Sequence, residues 1–152
     1  MQYTLTHGDL CKADVDYIVH QVNCKGIMGG GVALAVKCTF PSVYKEYVAL
    51  CNKYTENTSL LLGTLLIVPI SDTRNVVNMF TQDEIGWNTQ NTDLGALDRA
   101  LTKLNYIAKG KSVAFPWRVG CVRGGASWDV VLPLITSKLT DVKELRFYAL
   151  NE

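Results

Sequence analysis

The sequence predicts an α/β fold, a three-layer α/β/α sandwich around a mixed, mostly parallel six-stranded sheet. Strand-like and helix-like segments follow one another in the order β, β, α, α, β, β, α, β, α, β, which is typical of a sheet with helices on both faces. The 152 residues suffice for one complete core. The hydrophobic share of 48% and the charged share of 19% are typical of globular domains. We therefore expect residues 1–152 to form a single domain.

The strands are predicted from short segments rich in β-branched or aromatic residues. These segments are residues 2–6, 15–22, 65–70, 75–80, 112–115 and 145–150. In such sheets, ligands bind beyond the carboxyl ends of the strands, where loops enter helices. Functional residues are therefore expected after the strands that end at Val22, Phe80 and Phe115.

Four helices fit between these strands. The first is predicted over residues 31–38, and the second begins after Pro41, which separates the two. The third is predicted over residues 93–108, where apolar side chains share one face of the helix. Asp93 suits the positive start of this helix, and Gly110 lies just past its end.

The fourth helix is predicted over residues 127–139, with Ser127 as its N-cap. Pro133 lies inside this segment and has no N–H to donate to the carbonyl of Asp129. We therefore expect either a bend in the first turns or a later start of the regular helix.

Charge and cysteine content exclude several classes of protein. The net charge of +1 provides no broad basic field, so polymeric DNA or RNA is not an expected partner. The five cysteines are odd in number and contain no C-x-x-C pair, which indicates reduced thiols in the cytoplasm. With two histidines and no Cys/His cluster, no metal site is expected. No signal peptide or membrane span is predicted, because the longest apolar run is short and interrupted.

A first glycine-rich loop leads from a strand directly into a helix. The chain passes through Gly26 and then Gly29-Gly30-Gly31 before a helix of small residues. Glycines let a ligand approach the backbone, and the unpaired N–H groups of a helix N-terminus attract anions. A flexible turn beside closely packed helices is the alternative. A dinucleotide motif and a P-loop do not fit, because Leu34 replaces the third glycine and no Lys-Ser/Thr pair follows.

A second glycine-rich loop, residues 120–125, again connects a strand to a helix. Two such turns facing each other suit a diphosphate better than a single phosphate. Arg118 or Arg123 would add a charged contact, although such an arginine is more often a solvated loop residue.

Four pieces of the sequence, in order and at fitting spacing, resemble the macro domain family. They are Gly8-Asp9-Leu10 after the first strand, Asn23, the helix entry Gly29-Gly30-Gly31-Val32, and the loop over residues 116–128. The resemblance covers nearly the whole chain. It implies a macro domain fold and the binding of ADP-ribose, with no cofactor and no metal.

The resemblance also implies roles for individual residues. Asp9 would accept a hydrogen bond from the adenine amino group, Asn23 would lie beside the distal ribose, and Tyr148 and Leu150 would border the adenine or its ribose. From the residues alone, the alternatives are that Asp9 is a simple turn residue after the first strand and that Tyr148 is a core aromatic. The implied ligand-binding set is Asp9, Leu10, Asn23, Gly29, Gly30, Gly31, Val32, Phe80, Gln82, Arg118, Val119, Gly120, Cys121, Val122, Arg123, Gly124, Tyr148 and Leu150.

His20 with the run that follows it, and residues 75–104, resemble the short phage, bacterial and fungal ADP-ribose 1″-phosphate phosphatases. A histidine stands at this place in the fungal branch, so His20 is the candidate acid, base or nucleophile. Imidazole titrates near neutral pH, and its proton transfer is typically worth about 10²- to 10⁴-fold in rate. A histidine satisfied by hydrogen bonds near a strand end, or one that only contacts the ligand, is the alternative.

Two other functions remain open. Related macro domains that remove ADP-ribose from proteins or nucleic acid use a lysine after the fourth strand and, in one branch, an aspartate in the second loop. Here Gln82 and Gly124 occupy those places. A binding module without turnover needs only the glycine loops and the adenine contacts. We expect a monomer whose partner is ADP-ribose or ADP-ribose 1″-phosphate.

Overall fold

The structure is a computed structural model that describes residues 1–86, 90–122 and 124–150. Its strands are β1 (Thr4–His7), β2 (Tyr17–Asn23), β3 (Leu65–Pro69), β4 (Asn75–Gln82), β5 (Ser112–Pro116) and β6 (Glu144–Ala149). Its α-helices are α1 (Gly31–Thr39), α2 (Pro41–Asn52), α3 (Leu94–Ile107) and α4 (Trp128–Lys138). The strands form one sheet in the order β1-β6-β5-β2-β4-β3. Neighbouring strands run parallel, except that β3 pairs antiparallel with β4.

Helices cover both faces of this sheet. On one face, α3 and α4 pack against the strands through a core that includes Leu101 and Ile135. On the other face, α1 and α2 pack through side chains such as Val36 and Tyr47. Because strand side chains alternate between the two faces, β2 contributes to both cores. The predicted three-layer α/β/α fold with a mixed, mostly parallel sheet is confirmed.

The third predicted helix has the ends that its sequence indicates. The Asp93 carboxylate accepts a hydrogen bond from the N–H of Ala96 at 2.9 Å and so caps the first turn of α3. Gly110 follows the helix with φ +73°, a left-handed conformation that favours glycine. Local chemistry therefore sets both ends of α3.

The fourth helix starts where its sequence indicates. Helix α4 begins at Trp128, directly after Ser127, so the alternative of a later start is wrong, and Pro133 lies inside the helix. The carbonyl that loses its partner belongs to exposed Asp129 in the first turn, where water can bind it. Ser127 is the N-cap residue, but its side chain makes no capping hydrogen bond, so that detail of the prediction is wrong. No helix in the described part of the chain is long and apolar enough to span a membrane.

Candidate ligand-binding site

The predicted site residues follow strands that end at one edge of the sheet. In the spatial order β1, β6, β5, β2, β4, these ends lead to Asp9, Tyr148, residues 117–127, residues 24–30 and Gln82. We call residues 24–30 the first glycine loop and residues 117–127 the second glycine loop. Because β2 and β5 are parallel neighbours, the two loops leave the sheet side by side.

The first glycine loop ends at the start of α1. Gly30 is the N-cap residue and supplies no side chain to the first N–H groups of the helix. Gly31 has φ +59°, in the left-handed region that favours glycine. Gly29 and Gly31 are exposed, and Val32 is half-buried. This is the geometry on which the predicted anion contact depends, since it leaves the first-turn N–H groups without a side-chain cap.

Asn23 and Tyr47 hold the first glycine loop in place through hydrogen bonds. Tyr47 is fully buried, and its hydroxyl lies 2.6 Å from the Asn23 carbonyl oxygen and 2.8 Å from Asn23 Oδ1. Burial raises the pKa of Tyr47, so the hydroxyl stays protonated and donates. The Asn23 side chain also accepts from the N–H of Lys25 at 2.9 Å and donates to the Ile27 carbonyl at 2.7 Å. The ribose contact of Asn23 stays a prediction, and the structure adds a role in shaping the loop.

Phe80 lies beneath the site and not in it. Its side chain is fully buried, and its ring stacks on Tyr47 with centroids 5.8 Å apart. A residue without exposed surface offers nothing to a ligand, so the predicted contact of Phe80 is corrected to a supporting role. Leu10, Val119 and Cys121 are also buried, so they offer little surface to a ligand, and their contacts stay predictions.

The second glycine loop turns sharply several times. Gly120 and Gly125 have φ of +79° and +75°. Arg118 is exposed and has φ +66°, which is uncommon for a residue with a side chain. Val122 is 77% exposed, and the predicted contact of Arg123 lies outside the described residues. These turns present backbone at the protein surface, as an anion-binding loop requires.

Gln82, at the end of β4, is held by hydrogen bonds within the protein. Its Oε1 accepts from Gln21 Nε2 at 2.9 Å, and its Nε2 donates to the Glu84 carbonyl at 2.8 Å. The residue is 8% exposed. An amide is not a nucleophile, and this one is already engaged at both ends, so it provides no attacking group at this place.

Asp9 and Tyr148 lie at the far end of the same edge. Asp9 is exposed, and its Oδ1 accepts from the N–H two residues along the chain at 2.9 Å, so Asp9 does cap a turn. Tyr148 is half-buried, and its hydroxyl accepts from Arg146 Nη1 at 3.2 Å. Leu150 follows β6 and is 73% exposed. The structure thus brings the predicted adenine residues together on adjacent strands, since β1 pairs with β6.

His20 is buried within the layer between the sheet and its helices. It is 1% exposed, and its Nε2 lies 2.6 Å from Asn78 Oδ1. Asn78 Nδ2 donates to the Leu66 carbonyl at 3.0 Å, which fixes Oδ1 as the acceptor for His20 Nε2–H. His20 Nδ1 is buried without a hydrogen-bond partner among the described residues. Burial lowers the pKa of His20 to about 4, although the hydrogen bond with Asn78 opposes the shift. The catalytic role of His20 stays a prediction.

The neutral, buried His20 is expected to make the fold sensitive to mild acid. Its pKa is about 4 in the folded protein and 6.5 when exposed, so the unfolded chain binds the extra proton first. The stability that neutral His20 contributes is complete above pH 6.5 and is lost as the pH falls towards 4, by about 3 kcal/mol. Urea unfolding of wild type and of His20→Gln across this range measures it. An equal pH dependence in both proteins would contradict the expectation.

Three residues of this region were not identified from sequence as parts of a site. They are Tyr47, Gln21 and Thr92. Thr92 is 3% exposed and hydrogen-bonds with Gln21 across 71 positions of sequence. The sequence signal for Gln21 is that a polar residue stands inside the largely apolar strand β2. Nothing local in the sequence marks Thr92.

Two curated relatives are similar to this chain in sequence. The ADP-ribose 1″-phosphate phosphatase of Debaryomyces hansenii is 38% identical over 66 residues, which are 43% of this chain and 37% of that protein. The DNA ADP-ribosyl glycohydrolase of Mycobacterium tuberculosis is 27% identical over 151 residues, which cover 93% of this chain and 40% of that protein. This chain therefore spans less than half the length of either relative.

A solved structure and a family model define the relationship further. The macrodomain of Mycobacterium tuberculosis DarG superposes with a TM-score of 0.77 at 28% identity, covering 97% of this chain and 98% of that chain. The family model described as Macro domain matches residues 19–135, well over half of the sequence. The match includes most of β2, both glycine loops, the whole of α1 and most of α4. The chain belongs to the macro domain family.

Proposed function

We propose that this macro domain binds ADP-ribose and hydrolyses ADP-ribose 1″-phosphate to ADP-ribose and phosphate. The observation that carries the proposal is that two glycine turns lie side by side at one sheet edge. One is the start of α1 at Gly31, and the other contains the left-handed turns at Gly120 and Gly125. A diphosphate has oxygens for both turns. Backbone N–H groups bind it without a positively charged surface, which accords with the net charge of +1.

The far end of the same edge suits the nucleoside of this ligand. One carboxylate oxygen of Asp9 holds its own turn, and the other has the lone pairs to accept from an adenine amino group. The ring of half-buried Tyr148 lies beside Gly8, where a base can pack against an aromatic face. Adenine and diphosphate would thus lie along a single edge of the sheet.

Phosphate release is favoured over glycosidic cleavage by the residues after β4. One curated relative is named a phosphatase and the other a glycohydrolase. Glycohydrolysis through a lysine nucleophile needs that lysine where Gln82 is fixed by two hydrogen bonds. Lys25, in the first glycine loop, does not replace that lysine, because its ammonium group pairs with Asp83 and Glu84 at 3.5 and 3.3 Å. Glycohydrolysis and binding without turnover are the alternatives.

Proton transfer by His20 is part of the proposal, under a condition that the structure sets. Its ring is 1% exposed and neutral at pH 7. It therefore exchanges a proton with substrate only if the end of β2 opens or water reaches the ring. Nδ1 is the atom for this exchange, because Nε2 is bonded to Asn78.

Two assays on the purified domain test the proposed function. Calorimetric titration is expected to give saturable ADP-ribose binding, and incubation with ADP-ribose 1″-phosphate is expected to release inorganic phosphate. Release of ADP-ribose from a modified protein or from modified DNA, without phosphate release, would assign the glycohydrolase function instead. ADP-ribose binding with no turnover of any of these substrates would assign a binding module.

Removing the Tyr47 hydroxyl is expected to weaken ADP-ribose binding. Tyr47→Phe keeps the ring that stacks on Phe80 but loses the hydrogen bond to Asn23, which shapes the first glycine loop. Loss of one buried hydrogen bond is worth about 1 kcal/mol, or about fivefold in Kd. Calorimetry measures the change. Tyr44→Phe makes the same chemical change on the same helix and should bind like wild type. Equal affinity of the Tyr47 and Tyr44 variants would contradict the role of Tyr47.

The proposal extends to the state of the protein in the cell. The domain, residues 1–152, would act as a monomer. Its partner would be a small ligand, because its nearly neutral charge gives a nucleic-acid polymer little attraction. The odd number of cysteines supports a reducing compartment, the cytoplasm. Size-exclusion chromatography with light scattering measures the oligomeric state.

A further inference from the structure

The segment that leads into α3 is fixed on the end of β4. The N–H of Asp93 donates to the Thr81 carbonyl at 2.8 Å, and Thr92 forms an isolated bridge with Gln82. The Asp93 side chain then caps α3 through Ala96. Thr92 is therefore held by backbone contacts at a defined place, and it is 3% exposed.

Carbonyl groups of the second glycine loop accept hydrogen bonds from this segment. Thr92 Oγ1 donates to the Gly120 carbonyl at 2.8 Å. The Gly124 carbonyl accepts from the N–H groups of Asn91 and Thr92 at 2.7 and 3.0 Å. A trans peptide points its carbonyl and its N–H in opposite directions. Drawing the Gly124 carbonyl inwards therefore turns the N–H of Gly125 away from this segment.

Gln21 orients the Thr92 hydroxyl. Gln82 Nε2 donates to the Glu84 carbonyl, so Gln82 Oε1 is the acceptor that fixes Gln21 Nε2 as the donor. Gln21 Oε1 accepts from the Thr81 hydroxyl at 2.7 Å. Gln21 Nε2 then donates to Gln82 Oε1 at 2.9 Å and to Thr92 Oγ1 at 3.0 Å. Thr92 Oγ1 accepts from Gln21 Nε2, and its own proton goes to the Gly120 carbonyl oxygen at 2.8 Å, which is nearer than Gln21 Oε1 at 3.3 Å.

We propose that Thr92, oriented by Gln21, is a positioning residue that sets the conformation of the second glycine loop for a diphosphate ligand. The proposal rests on the proposed binding of ADP-ribose. The loop carries glycines at left-handed positions and would sample many conformations without support. Holding the Gly120 carbonyl in place reduces the ordering that the ligand must impose, which raises affinity. Thr92 itself does not touch the ligand.

A pair of substitutions at Thr92 separates this role from general packing. Thr92→Val keeps the shape of the side chain and loses the hydroxyl, whereas Thr92→Ser keeps the hydroxyl and loses the methyl group. We expect Thr92→Val to raise the Kd for ADP-ribose about fivefold to twentyfold, and Thr92→Ser to stay within about twofold of wild type. Adenosine has no diphosphate, and its binding, measured by NMR titration, should change less than about twofold in both variants.

Three results would overturn the positioning role. They are an unchanged ADP-ribose Kd in Thr92→Val, an equal loss in Thr92→Ser, or an equal loss of adenosine binding. If Thr92→Val does not fold, Gln21→Met serves as the second variant, and the same selective loss of ADP-ribose binding is expected. Failure of the wild-type domain to bind ADP-ribose would overturn the proposed function itself. Wild-type binding with unchanged variants would overturn only the role of Thr92.

Discussion

Gly124→Ala is expected to weaken ADP-ribose binding about tenfold to 100-fold while leaving the domain folded. A Cβ atom on Gly124 would overlap Thr92 Oγ1 and lie 2.5 Å from the Gly120 carbonyl oxygen and 2.7 Å from Gln21 Nε2. The two oxygens and the amide belong to a buried hydrogen-bonded group that cannot give way cheaply. The second glycine loop must therefore move, and losing one hydrogen bond to a charged phosphate costs about 1.5–3 kcal/mol, or about tenfold to 100-fold in Kd.

The matched control for this variant is Gly86→Ala. A Cβ atom on Gly86 would lie an ordinary 3.9 Å from Asn91 Nδ2, so the same chemical change causes no overlap with the described residues. Calorimetry should give wild-type affinity for Gly86→Ala, and thermal unfolding should show all three proteins folded. If Gly124→Ala binds ADP-ribose as tightly as Gly86→Ala, the close packing of the loop on Thr92 does not matter for the ligand.

His20→Ala is expected to lower the rate of phosphate release from ADP-ribose 1″-phosphate by about 10² to 10⁴, if His20 is the proton-transfer group of the proposed reaction. The Kd for ADP-ribose should stay within about threefold of wild type, because the buried ring makes no contribution to the cleft surface in this structure. A stopped assay of inorganic phosphate, with calorimetry on the same preparations, measures both quantities.

His20→Gln separates chemistry from packing at this position. Glutamine can donate to Asn78 as the imidazole does, but it exchanges no proton near neutral pH. A catalytic His20 requires His20→Gln to be as slow as His20→Ala, whereas a purely structural histidine lets His20→Gln recover the rate. Equal rates for wild type and both variants would remove His20 from the mechanism.

Much of the fold can be predicted from the sequence because its signals are local. Helix α3 combines an apolar face with an Asp93 cap and a glycine past its end, so neighbouring residues alone specify it. The glycine loops are also recognisable, since runs of glycine between a strand and a helix have few other uses in α/β domains. Ser127 shows the limit of local reasoning. It occupies the N-cap position without making the expected side-chain bond.

The supporting contacts of the site could not be predicted, because they join distant parts of the chain. Thr92 meets Gln21 across 71 positions and Gly120 across 28, and neither pairing has a periodic pattern. The burial of His20 depends on which face of β2 it occupies and on the helices packed there, which tertiary contacts decide. Phe80 follows the same reasoning, since the sequence places it at a strand end, whereas β4 continues to Gln82 and the Phe80 side chain is buried in the core.

A crystal structure of the domain soaked with ADP-ribose tests the central claim most directly. The account predicts the diphosphate between the two glycine loops, with its oxygens within hydrogen-bond distance of backbone N–H groups at the start of α1 and near Gly125. A diphosphate held by side chains elsewhere, or no ligand between the loops at a saturating concentration, would contradict it.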